Sequence, residues 1–253
     1  MQIGIPKKIV CLTEESVEIL YALGLEHLIV GVSSYVRRPP EAMELPKTSV
    51  FTHANLGRIK ELEPDLVIGF SDIQKDIAKD LIGEGLNVWI SNQRSTDEIL
   101  SYVVMLSSIV GKRQEGIAIV DDIKRKIDSA VSFSRTLKVK PLCYLEEWDE
   151  PPISGIRWFS EVIEYCGGVN IFSSNARSSL AKDRIIDLQE VREKNPSYVF
   201  ACWCGKKFDK DSFLNRPKFG EIDAVLKNQI YELEPEIFLQ PGIAPYIDGL
   251  EII

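Results

Sequence analysis

The chain has 253 residues, enough to bury a full core in one large domain or two modest lobes, and its 45% hydrophobic and 27% charged residues are the balance of an ordinary globular protein. A net charge of −8 offers no broad basic field to a phosphate backbone, which argues against nucleic acid as a partner. No stretch approaches the ~20 apolar residues that span a bilayer, so direct membrane insertion is not expected.

The opening residues, "MQIGIPKKIVCLTEES", meet charge and polarity before the apolar region of a signal peptide can form. As written, the sequence reads as cytoplasmic; it reads as periplasmic or cell-surface if a leader has been removed. Five cysteines, an odd number, suit a reducing compartment better than a disulfide framework.

Along the first half, "KKIVCLT", "LIVGVSS", "DLVIGFS" and "LNVWISN" are short apolar runs, each followed by helical periodicity. The second half repeats the rhythm with "KPLCYLEEW", "NIFSS", "SYVFACW" and "QIYEL". "KELEPDLVIGFSD" aligns with "REKNPSYVFACWC", setting Pro64 on Pro196, and "ILYALGL" aligns with "VIEYCGG", setting Gly24 on Gly167. A glycine can close a helix in the left-handed conformation and a proline cannot continue one, so each marks a helix-to-strand turn.

The expected fold class is therefore α/β: two Rossmann-like lobes with parallel sheets, one over residues 1–110 and one over 139–253. Residues 111–138 should form a single long helix joining them. From Arg113 to Thr136 the apolar residues Ile117, Val120, Ile123 and Ile127 fall on one stripe, over roughly 36 Å at 1.5 Å per residue. With no Pro/Gly/Ser-rich linker, the joint should be stiff.

Ligands of open parallel sheets sit beyond the carboxyl ends of strands, and in a two-lobed chain that place is the cleft. From the first lobe this predicts Ser34, Tyr35, Arg37 and Arg38, His53 and Asn55, Ser71 and Asp72, and Gln93 and Arg94. From the second it predicts Glu147, Trp148, Arg157, Trp158, Lys182, Arg184, Trp203, Cys204 and Lys206. Aromatic faces with Arg and Lys between them suit a flat or conjugated ligand with negative groups. The competing reading puts Trp158 and Trp203 in the core and the bases on solvated surface.

"CWCGKKF", residues 202–208, concentrates the chemistry. Only two histidines exist, and Cys202-x-Cys204 lacks a second pair at zinc-ribbon spacing, so no metal site is expected. A disulfide between residues two apart would be strained. Lys206 could lower the pKa of Cys204 and His53 could act as its base, but no third group orients such a base, which favours a plain half-buried thiol. P-loop, dinucleotide, GxSxG and HExxH signatures are absent, and the acidic run "EEWDE" reads as a solvated turn.

The chain resembles the cobalamin and ferric-siderophore type of ABC-transporter substrate-binding proteins. "KKIVCLTEESVEILYALGLEHLIVGVSSYVRRPPEAMELPK", "IKELEPDLVIGF" and "GIRWFSEVIEYCGGVNIF" followed by "NPSYVF" carry the resemblance. "SGIRW", "AKDR", "CWCGKKF" and "LQPG" resemble a leaderless, cobalamin-binding-protein-like subgroup.

The resemblance implies two Rossmann-like lobes bridged by one long helix, and binding rather than catalysis. The ligand would be cobalamin or another corrinoid, a ferric siderophore or haem, with no intrinsic cofactor. It implies that Tyr35 and Trp203 face the ligand and that Arg37 and Arg184 meet its acidic groups. Expected partners are this small molecule and an ABC importer permease, which would meet carboxylates such as Glu44 and Glu221; the chain is expected to act as a monomer. The alternative is an intracellular enzyme or metallochaperone on the same scaffold using Cys204, His53 and Lys206.

Overall fold

The computed structural model describes residues 4–253. It divides into two compact units: residues up to Gln93 with Asp97–Asp122 and Pro241–Ile243, and Arg94–Thr96 with Ile123–Gln240 and Ala244–Ile253.

In the first unit the order is β1 (Ile9–Cys11), α1 (Glu14–Ala22), β2 (Ile29–Ser33), β3 (Lys47–Ser49), α2 (Leu56–Glu61), β4 (Leu66–Phe70), α3 (Lys75–Gly83) and β5 (Val88–Ser91), with α4 (Thr96–Ile109) following. The strands pair in parallel in the order β3-β2-β1-β4-β5. A central parallel strand is covered on both faces, so it reads as a continuous apolar run; all three residues of β1 are buried. Val10, Leu12, Ile59, Val67, Ile77 and Leu81 form one apolar cluster, each worth roughly 1.5–3 kcal/mol of burial. β3 was not expected from the sequence.

The unit boundary after Asp122 falls inside α5 (Arg113–Ser134). Its predicted stripe holds: Val120 and Ile123 are buried and Ile117 and Ile127 half-buried.

The second unit runs β6 (Leu142–Asp149), β7 (Pro152–Ser154), α6 (Arg157–Tyr165), β8 (Val169–Asn170), α7 (Leu188–Lys194), β9 (Tyr198–Ala201), α8 (Lys210–Leu214), α9 (Asp223–Leu226), β10 (Ile230–Glu232), α10 (Pro235–Phe238) and α11 (Leu250–Ile252). Its sheet is ordered β10-β9-β6-β7, with β8 also on β6. The pairs are parallel except β6 with β7, where the chain doubles back at Glu150 and Pro151. Pro152, which cannot donate to a ladder, lies on that edge strand. The run "NIFSS" supplies only the last residue of β8 before the chain turns. Tyr144, Phe172, Val191, Val199, Phe213 and Phe219 form the core of one sheet face.

Gly24 and Gly167 take φ of 67° and 95° after α1 and α6, the left-handed closures expected of them. Pro64 and Pro196 follow Glu63 and Asn195, which carry φ of 48° and 45° beyond α2 and α7.

Candidate functional site

At the carboxyl end of β6 the pairing with β7 shifts register between Glu146 and Trp148, an extra residue in the ladder. Glu146 is fully buried and accepts four hydrogen bonds: from Arg216 Nη1 at 2.5 Å and Nη2 at 2.9 Å, from Tyr144 Oη at 2.6 Å and from Trp203 Nε1 at 3.0 Å. Its neighbour Glu147 accepts from Arg184 Nη1 at 2.7 Å and from the Ile156 amide at 2.5 Å. Burial raises the Glu147 carboxyl above the ordinary value, with Arg184 opposing it. Arg184 also donates to the Ser154 carbonyl at 2.5 Å.

The acidic run is thus no solvated turn. Glu146 to Asp149 lie in β6, where the register on β7 shifts between Glu146 and Trp148, and Glu146 and Glu147 are paired with two different arginines; only Glu150 falls at the turn. Arg216, Tyr144 and Glu146 were not singled out by sequence reasoning. Arg216 lies 70 positions from its partner and leaves no local signal.

At the rim of this cluster, Lys206 sets its ammonium 2.7 Å from Asp149 Oδ1, 4.3 Å from the centre of the Trp148 ring and 4.7 Å from that of Trp203. Partial burial, the largest single influence, works against ionisation of Asp149, but the hydrogen bond and charge of Lys206 together with main-chain amide hydrogen bonds outweigh it and leave the carboxyl below its usual value. Trp148 is half-buried and donates Nε1 to the Glu150 carbonyl at 3.0 Å.

Trp203 is only 2% exposed, with Phe208 edge-on at 5.0 Å. Trp158 is also 2% exposed and donates to the Phe238 carbonyl. The structure therefore places both tryptophans in the interior, and Arg184, 3% exposed, in a buried ion pair. A strand end hides long side chains as readily as it displays them. Arg157 remains on the surface, paired with Glu161 at 2.8 Å.

Cys204 is exposed, and its thiol is raised, by desolvation first and then by the Glu147 carboxylate. Lys206 is turned to Asp149, so the geometry does not provide the cationic activation of Cys204 that the alternative reading required. Among the described residues no group of three or more His, Cys, Asp or Glu is arranged to hold a metal ion.

In the first unit, the carboxyl ends of the strands present a different set. Tyr35 is 54% exposed on the loop after β2. Arg37 is exposed too, its guanidinium bonded to the Ser34 and Val36 carbonyls at 3.1 and 3.2 Å. Glu14 Oε1, at the start of α1, accepts the amides of Arg37 and Arg38 at 2.7 and 2.6 Å. Glu18 Oε1 takes Arg38 Nε at 2.7 Å. Glu14 and Glu15 are each raised to about 7, by burial above all. Neither was singled out from the sequence.

His53 is exposed, its Nδ1 2.9 Å from Thr52 Oγ1. Asn55 caps α2 by accepting the Arg58 amide at 3.0 Å, a structural role. Ser71 is buried at φ 64° and ψ 175°, and Asp72 beside it is exposed. Gln74 accepts from the Phe70 amide at 2.9 Å and donates to the carbonyls of Phe51 at 3.1 Å and Leu12 at 3.5 Å, tying together three loops at this edge. Gln93 is buried and donates to the Pro241 carbonyl at 3.2 Å.

Comparison with known proteins adds the following. Residues 9–237 match the family described as periplasmic binding protein. The vitamin B12-binding protein of Vibrio cholerae serotype O1 is 27% identical over 241 residues, 93% of this chain and 83% of the relative. The solved structure of the periplasmic vitamin B12-binding protein of Vibrio cholerae superposes with a TM-score of 0.76 at 25% identity, covering 98% and 94% of the two chains. A periplasmic haem-binding protein from Roseiflexus sp. RS-1 superposes at 0.81 with 20% identity, covering 97% of each, a likeness of fold.

Proposed function

The chain belongs to the periplasmic binding protein family, and from that membership we propose that it binds a corrinoid, without transforming it, as the substrate-binding component of an ABC importer. The observation that carries the reading is the match to vitamin B12-binding relatives along 93% of the chain. Each unit supports it by itself: the first offers the exposed Tyr35 with Arg37 and the second the half-buried Trp148 with Lys206 and the exposed Arg157, aromatic faces and donors of the kind that suit a conjugated ring with polar substituents. Haem and a ferric chelate meet the same chemistry and are the other ligands to try.

Titration with cyanocobalamin, followed by tryptophan fluorescence, tests this directly. One-to-one binding that weakens about tenfold in Tyr35→Ala and in Trp148→Ala is the expected result. No binding of cyanocobalamin, haemin or a ferric hydroxamate overturns it, as does turnover of any of them.

An importer partner requires the chain to work outside the cytoplasmic membrane. Among the described residues no helix is long and apolar enough to cross one. Glu44 and Glu221 are exposed, and we assign them to permease contact. Charge reversal at either position should weaken association with the permease and leave ligand affinity unchanged; unaltered association removes that assignment.

A further inference from the structure

The loop that carries Tyr35 has no regular structure of its own, yet it is held at two points by α1. The Glu14 carboxyl gathers two consecutive main-chain amides, those of Arg37 and Arg38, on a single oxygen. Glu18, one helical turn on, holds the Arg38 guanidinium. Tyr35 lies two residues before the first of these anchors. Its own amide finds only Ser33 Oγ, at 3.3 Å.

We propose that Glu14 is the positioning residue for the Tyr35 loop, and that it holds the loop more firmly as a neutral carboxyl than as a carboxylate. The inference rests on the reading of Tyr35 as ligand-facing.

Burial, with Glu18 and Glu15 beside it, favours the neutral form and outweighs the two amides on Oε1, which favour the carboxylate. Glu14 is 2% exposed and its second oxygen, Oε2, is buried without a hydrogen-bond partner, so a negative charge there would lack solvation. The groups facing it from its own helix are Glu15 and Glu18, both acids; from the loop come Arg37 and Arg38. The Arg38 guanidinium is turned to Glu18 and the Arg37 guanidinium to main-chain carbonyls. The segment Pro241–Ile243, whose Gly242 packs on Glu15, brings no titratable side chain. Cys11 of β1 and Tyr102 of α4 face Glu15 and carry no compensating positive charge. The Glu14 carboxyl, raised to about 7 by burial first, agrees with this surrounding.

Letting the loop swing away hydrates Glu14 and frees it to ionise. Opening is therefore favoured as pH rises, and loop order is present below the carboxyl's ordinary value of 4.5 and lost through about 7.

Amide hydrogen exchange at Arg37 and Arg38, corrected for intrinsic rates, reads this without any ligand. Protection should fall about tenfold between pH 6 and pH 8 in the wild type. It should stay flat in Glu14→Gln, which keeps the acceptor and cannot ionise, and be lost at every pH in Glu14→Ala, while amides of β1 and β4 remain protected. Equal pH slopes in wild type and Glu14→Gln overturn the proposal. Binding of cyanocobalamin, haemin and a ferric hydroxamate is measured alongside: whichever binds should weaken with rising pH in the wild type and not in Glu14→Gln. If Tyr35→Ala leaves that binding untouched, or none binds, the ligand reading fails, while the exchange data still decide the latch.

Discussion

Arg216 grips Glu146 with both ends of its guanidinium, Nη1 to Oε2 at 2.5 Å and Nη2 to Oε1 at 2.9 Å, beside a strand end closed to solvent. The same carboxylate orients Tyr144 and Trp203, so one buried charge organises three side chains from three stretches of chain. Arg216→Met leaves that charge with two neutral donors only. We expect it to cost about 3–5 kcal/mol in urea denaturation, and the double variant with Glu146→Gln to recover much of the loss, because the penalty is an unpaired charge and not missing volume. A single-variant cost below about 1 kcal/mol would show the carboxylate to be hydrated.

Lys206 is held by Asp149 and two indole rings but is itself well exposed. Its removal in Lys206→Met should change stability by no more than about 1 kcal/mol. It should shift tryptophan emission, since the ammonium lies within 5 Å of both ring centres, at 4.3 and 4.7 Å. Against haemin, a dicarboxylate, the variant should lose more affinity than against cyanocobalamin, whose rim is amide. Equal losses would place Lys206 away from the ligand's acidic groups.

Stability should decline as pH rises. Glu15 is 1% exposed, with Oε2 unpartnered, and burial raises its carboxyl from 4.5 to about 7. A folded-state value above the unfolded one favours the neutral form, so its contribution is complete below 4.5 and lost as pH passes through about 7. A shift of that size corresponds to about 3 kcal/mol between the two limits. Chemical denaturation of Glu15→Gln should show a flatter pH profile and greater stability than wild type above neutrality. A wild-type profile that rises over this range would mean Glu15 is solvated or paired.

Much of the scaffold was legible because its signals are local. β1 and β4 announce themselves as unbroken apolar runs, and Gly24 with Gly167 mark equivalent helix ends by a backbone requirement that sequence displays directly. The short edge strands β3 and β7 have no such run and owe their pairing to neighbours. Trp203 follows β9 as expected, whereas Trp158 lies in α6 and Arg184 well beyond β8, and all three are buried where sequence had offered them to a ligand. Burial there depends on what arrives from far away, as Phe238 does for Trp158 and Glu147 for Arg184. For the same reason the acidic run at Glu146 and Glu147 looked solvated: its cations lie 37 and 70 positions off.

The five thiols give the last test, because the fold ranks them by access. Cys204 is exposed, Cys166 half-buried, and Cys11, Cys143 and Cys202 are buried, with burial raising Cys11 to about 12 and Cys143 to about 11. In the native protein a disulfide reagent should find Cys204 first and Cys166 more slowly, with the remaining three released on unfolding. Because desolvation and Glu147 raise the Cys204 thiol, its rate should keep climbing beyond about pH 9 instead of levelling near neutrality. Cys204→Ser should abolish the fast phase and leave ligand affinity intact. A fast phase already saturated at about pH 7, or one suppressed by zinc, would instead mark an activated thiolate and return weight to an enzyme or metallochaperone built on this scaffold.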